Sequence, residues 1–157
     1  MKYLKLAALV LLLLGCTRDP LQVSVSEKQR LLQRIDEYYS LEKSNDWAKA
    51  YEYRSSDFRS FVDKEKYVRL MSVLNEGWQL ENFELKGGVG DESRYIYSAT
   101  FAENISQSYA EQRGLLEGQV TYFTENIIWR KEDGEWYCVS CGIRYRLELN
   151  RELRGKE

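Results

Sequence analysis

Histidine is absent from the 157 residues. That removes Ser-His and Cys-His nucleophilic pairs, histidine metal sites and the commonest general base. Any acid-base chemistry falls to carboxylates, tyrosine or lysine. Cysteine is scarce, with three in the chain. A zinc clip needs about four ligands, and the two cysteines at Cys-x-x-Cys spacing, Cys138 and Cys141, fall short without histidine, so no metal site is expected. Proline occurs once, at Pro20, and neither an internal repeat nor a low-complexity tract is present. The apolar run Leu6 to Leu14 is nine residues long, well short of the roughly 20 that cross a bilayer as a helix. A basic excess is missing too: 23 Lys and Arg against 25 Asp and Glu give a formal charge of −2. The electrostatic footprint of a nucleic-acid binder is therefore lacking.

What is there begins with a leader. Lys2 and Lys5 precede the run Leu6 to Leu14, the basic-then-apolar order of a secretory signal. The run stops at Leu13-Leu14-Gly15-Cys16, which resembles the lipobox of bacterial lipoprotein precursors. The resemblance implies cleavage between Gly15 and Cys16 and acylation of Cys16. It divides the chain into a signal peptide, 1–15, a polar tether, 16–25, a domain, 26–145, and a charged tail, 146–157. Without Lys2 and Lys5 the mature chain carries 21 basic and 25 acidic side chains. At about 3.3 Å per residue, the tether holds the domain within about 30 Å of the membrane. Thr17, where an Asp would resemble an inner-membrane retention signal, leans the expected location to the outer membrane, facing the periplasm, if the cell has two membranes.

Ser24-x-x-Glu27 and Ser26-x-x-Gln29 fit capping boxes ahead of Leu31, Leu32, Ile35, Tyr38 and Tyr39 at helical spacing. A second helix, capped by Ser44 or Asn45, is expected to carry Trp47, Ala50, Tyr51, Arg54 and Phe58 on one side. A third follows Asp63, with Tyr67, Leu70, Met71 and Leu74 inward and Gly77 beyond its end. From Trp78 the pattern turns to strands. A turn is expected through Gly87-Gly88-Val89-Gly90-Asp91, and then alternation at Tyr95, Tyr97, Ala99 and Phe101. Asn104 to Glu117 reads as a loop or ragged edge strand. Asp133-Gly134 is a hairpin signal, and it pairs Lys131 with Trp136, Trp129 with Cys138 and Ile127 with Ser140. Phe123, Glu125, Ile127 and Trp129 then share one face, and Tyr122, Ile128 and Cys141 the other.

Helices followed by strands make an α+β layout, with N-terminal helices in the concave face of a curved antiparallel sheet. The stretch Asp46-Trp47-Ala48-Lys49-Ala50-Tyr51, Phe58 and Phe61 ahead of Asp63, and Trp129-Arg130-Lys131-Glu132-Asp133-Gly134-Glu135-Trp136-Tyr137 resemble the nuclear transport factor 2-like superfamily over about Glu27 to Cys141. The resemblance implies a cone of bent sheet around helices, with a pocket at its open end. That fold hosts isomerases, dehydratases, secretion-system subunits and non-catalytic domains, so it gives no function.

Within such a cone the candidate carboxylates are Glu125 and Asp36, beside Tyr38, Tyr97 or Tyr122. A catalytic carboxylate buried there would titrate high; the competing reading places Glu125 in solvent or against an arginine. Twelve Tyr, five Phe and four Trp serve either as core or as the walls of an apolar ligand cavity. For Cys138 and Cys141 three readings stand: a structural disulfide, two separate thiols, or a redox pair. A continuous strand would set their α-carbons about 10 Å apart, too far to bridge, so a bridge requires the strand to end or bulge near Val139-Ser140. The expected function is a membrane-anchored, non-enzymatic binding or assembly module. Its expected partners are the membrane, through the lipid, and a small apolar ligand or an envelope protein. No cofactor is expected. The rival is a carboxylate- and tyrosine-dependent isomerase or dehydratase.

Overall fold

The structure is a computed structural model that describes residues 23–114 and 120–141. The expected signal peptide, Cys16 and the expected charged tail lie outside the described residues. Ser24 caps α1 (Val25–Lys43) by accepting from the backbone N–H of Glu27, as its capping box anticipates. Leu31, Ile35, Tyr38 and Tyr39 form its buried stripe. Leu32 falls off that stripe and is exposed.

The expected second helix is broken. Asp46, one residue beyond the anticipated caps, starts α2 (Trp47–Ala50), which tightens into a 3-10 turn at Tyr51–Tyr53. Arg54 is then extended (φ −78°, ψ 145°), and Ser55 caps a new helix, α3 (Ser56–Phe61). The break has a cause: Arg54 forms a parallel bridge with Cys138 of the last strand, and the Ser55 N–H donates to the Cys138 carbonyl at 2.9 Å. A tertiary backbone bond here outweighs helical continuity. Asp63 caps α4 (Lys64–Leu74), where Tyr67 and Met71 are buried, and Gly77 takes φ 76° just past its end.

Four strands follow: β1 (Trp78–Gly90), β2 (Arg94–Ile105), β3 (Val120–Glu132) and β4 (Glu135–Ser140), antiparallel neighbours in chain order. The glycine run does not turn the chain. It stays in β1, and the reversal comes at Asp91–Ser93, where the Asp91 carboxylate accepts from the N–H groups of Ser93 and Arg94. Nor is the stretch after Asn104 a loop. Ser106 caps α5 (Gln107–Arg113), which Gly114 closes in the left-handed region at φ 64°; a serine cap and a glycine stop eight residues apart were its signal. Asp133 and Gly134, both at positive φ, make the expected tight hairpin. Its register holds at Lys131↔Trp136 and Trp129↔Cys138. Beyond that a bulge at Val139 pairs Ser140 with Ile128 instead of Ile127.

The helices cover one sheet face. Neighbouring Tyr38 and Tyr39 reach different strands: Tyr39 meets Phe83 and Phe101 at ring distances of 4.6 and 5.1 Å, and Tyr38 meets Trp129 edge-on at 5.9 Å. The start of α1 is clamped to the β3–β4 hairpin. Glu27 pairs with Lys131 at 2.6 Å and accepts from the Trp136 indole, while Arg30 reaches Glu135 and the Gly134 carbonyl. A β-carbon on Gly88 would lie 2.5 Å from the Tyr95 ring and 2.6 Å from that of Tyr97, both buried. Gly88→Ala is expected to destabilise by about 1–3 kcal/mol, the usual range for overpacking. Urea unfolding checks it, and a midpoint equal to wild type would show that the rings yield freely.

Candidate functional site

The sequence places a charged residue, Arg54, in an otherwise inward series of Trp47, Ala50 and Tyr51, and the structure buries it at 3% exposure. Its Nη1 donates to the Cys141 carbonyl at 2.9 Å, the Tyr38 hydroxyl at 3.3 Å and the Cys138 sulfur at 3.4 Å. Its plane lies over the Phe58 ring at 4.1 Å. Tyr38 in turn donates to the Glu42 carboxylate and approaches the Tyr67 hydroxyl at 3.5 Å. A buried guanidinium needs this many acceptors to offset its lost hydration. The network is not read from the sequence, which marks Tyr38 as a pocket candidate and Cys138 and Cys141 as a candidate bridge but not Arg54, Glu42 or Tyr67. The inward-facing arginine was the signal available.

Cys138 and Cys141 are joined by a disulfide with α-carbons 6.0 Å apart. The bulge at Val139 is what shortens that distance. It also turns Cys141, expected on the outer face with Tyr122, into the buried side at 2% exposure. The bridge therefore closes the same corner that Arg54 fills.

The five residues expected to share a pocket do not come together. Tyr38 belongs to the Arg54 network. Tyr97 and Glu125 lie on the helix-facing side of the sheet, at 3% and 8% exposure, with Glu125 opposite Ala99. Glu125 is near enough to Tyr39 to help hold its phenol well above the ordinary range, after burial and the charge of Glu42. Asp36 is exposed: it follows the buried Ile35, and one helical step carries it off the inward stripe. Tyr122 is 70% exposed, because strand alternation puts it opposite to Phe123 and Glu125. A second carboxylate on the inner face, Glu103, is buried at 8% exposure and was not anticipated. Among the described residues no group of three or more Cys, Asp or Glu is placed to hold a metal ion.

At the edge of the helix–sheet interface runs an open groove of about 510 Å³. Val23, Val25, Lys28 and Leu32 form one wall, and Val89 and Tyr95 the other. It lies outside the interior that the sequence marked for chemistry.

No family model and no curated protein matches the chain. Among solved structures, a SEC-C motif-containing protein of Rhodopseudomonas palustris is similar at a TM-score of 0.53 and 15% identity, over 68% of this chain and 73% of that one. That likeness shows the fold alone. A protein described as an NTF2-like transpeptidase, from Campylobacter jejuni, is similar at a TM-score of 0.44 and 10% identity, over 75% of this chain and 100% of that one.

Two outcomes follow from the buried network. Arg54→Met leaves the Cys141 carbonyl and Tyr38 without their donor and is expected to cost about 3 kcal/mol of stability. Guanidinium unfolding measures it, and a loss no larger than that of an exposed lysine variant would show that the network is idle. Burial pushes Tyr67 and Tyr97 up from 10.0 to about 12. The folded state favours the neutral phenols, and the unfolded chain releases their protons first. Stability is therefore full below pH 10 and falls between pH 10 and about 12. Phenolate absorbance and loss of near-ultraviolet dichroism should rise together in that window, and Tyr67→Phe should flatten the dependence.

Proposed function

We propose that the chain is a membrane-anchored envelope lipoprotein whose domain, of the nuclear transport factor 2-like type, is a non-enzymatic binding or assembly module. The observation that carries this reading is how the interior polar groups are engaged. Arg54, Tyr38, Glu42 and Tyr67 face one another and the carbonyl of Cys141. They hold the helical layer to β4 through the Arg54 Nη1 contacts. Asp36 and Tyr122, two of the groups on which acid-base chemistry would draw, sit outside. Anchoring rests on the Lys2 and Lys5 leader ending in Leu13-Leu14-Gly15-Cys16, and a Cys138–Cys141 bridge suits an oxidising compartment such as the envelope. A cell with two membranes would hold it on the outer one, facing the periplasm.

One observation favours a second reading, a carboxylate-dependent isomerase or dehydratase: Glu125 is buried on the inner face close to Tyr39. The two separate experimentally. Native mass spectrometry of the chain extracted from membranes is expected to show a retained small apolar molecule or a stoichiometric protein partner, unchanged by Glu125→Gln. Retention of neither sinks the binding module, and turnover of an added enolisable ketone that Glu125→Gln abolishes would install the enzyme. Cys16→Ala is expected to leave the leader attached and the chain out of the acylated membrane fraction. Normal processing and anchoring of that variant would overturn the lipoprotein assignment.

A further inference from the structure

We infer that the groove between the first turns of α1 and the end of the β1–β2 hairpin seats a phospholipid of the bilayer to which the chain is tethered, with an acyl chain along its apolar walls and the phosphate at Lys28. This rests on the lipoprotein reading above and adds to it an orientation: the domain lies against its membrane with this edge inward.

Three observations converge on the groove. Its walls expose aliphatic side chains that the core does not need: Val25 is 77% exposed, Val89 72% and Leu32 37%, while Leu31 beside them is fully buried. Phe61, Val73 and Tyr122 are exposed elsewhere, but Val25, Leu32 and Val89 gather on this one groove, and apolar groups so gathered mark a surface that meets something apolar. The charge on the groove is also uncommitted. Glu27 and Arg30 on either side of Lys28 are engaged with Lys131 and Glu135, whereas Lys28 makes no ion pair among the described residues. Asp91, at the hairpin end next to Gly90, accepts from the N–H groups of Ser93 and Arg94 and does not line the groove. The third observation is position. Val23 is part of the groove wall, and Cys16 precedes it by seven residues. At about 3.3 Å per residue, the groove lies no more than about 23 Å from the acylated cysteine.

The occupant could be tested against other chemistry in one sample. The full acylated chain is placed in vesicles of phosphatidylethanolamine and phosphatidylglycerol carrying doxyl-labelled acyl chains, and its methyl resonances are recorded. Val25, Leu32 and Val89 are expected to be lost to broadening, while Val73, 64% exposed on α4 but outside the groove, stays sharp. Val89→Asp with Leu32→Asp should restore the Val25 signals without moving the unfolding midpoint. Equal broadening at Val73 overturns the orientation. Sharp groove methyls in an acylated chain overturn this inference alone, as does broadening produced by a soluble labelled fatty acid but not by the vesicles. Absence of acyl mass on the Cys16 peptide of the same sample overturns the anchoring and this inference together.

Discussion

The Ser55 N–H to the Cys138 carbonyl, with the Arg54 guanidinium beside it on the Cys141 carbonyl, each at 2.9 Å, is the seam between the helical half and the sheet. It explains why one expected helix is three pieces. Arg54 must be extended to reach β4, so the chain stops its 3-10 turn before it and restarts at a serine cap after it. It also gives the bulge at Val139 a purpose. Without it Cys141 would face outward, and both the disulfide and the carbonyl that receives the guanidinium would be lost. Charge, backbone pairing and covalent bridge meet in one corner, where an unsatisfied group would be costly.

α1 is held from two directions. Its first turns are tied by ion pairs to the β3–β4 hairpin, and its middle is fixed by Tyr38 and Tyr39 on three different strands. The exposed ion pairs contribute little individually; the buried rings contribute the larger share through apolar area. An interior assembled this way is filled at the corner of Arg54, and part of its apolar surplus lies at the periphery along the groove. The polar interior positions the layers.

The layout of helices before an antiparallel sheet was legible because period and order are local properties of the sequence: the stripe of α1, the cap at Asp63 and the Asp133-Gly134 hairpin each follow from residues within one turn of each other. What was not legible depended on distant partners. The break at Arg54 needs Cys138, and the register change from Ile127 to Ile128 needs the bulge. The glycine run failed as a turn because Gly88 serves close packing under Tyr95 and Tyr97. Asp36 and Tyr122 group with Glu125 by chemistry alone: helical periodicity carries Asp36 off the inward stripe, and strand alternation puts Tyr122 opposite Glu125. Glu103 and Arg54, buried charges on inward positions, were in plain view but carried no motif.

Arg54 and Cys138 are 84 residues apart. In a chain made from its N-terminus, α1 through α4 emerge long before the strand that receives the guanidinium, and until then that charge keeps its water. Sheet growth by successive hairpins, β1 to β4, is local and inexpensive in loop entropy, but the last hairpin is also the one that recruits the helices. The final twenty or so residues of the domain thus act as a completion signal: only a chain translated through Cys141 can bury its arginine and become a finished fold.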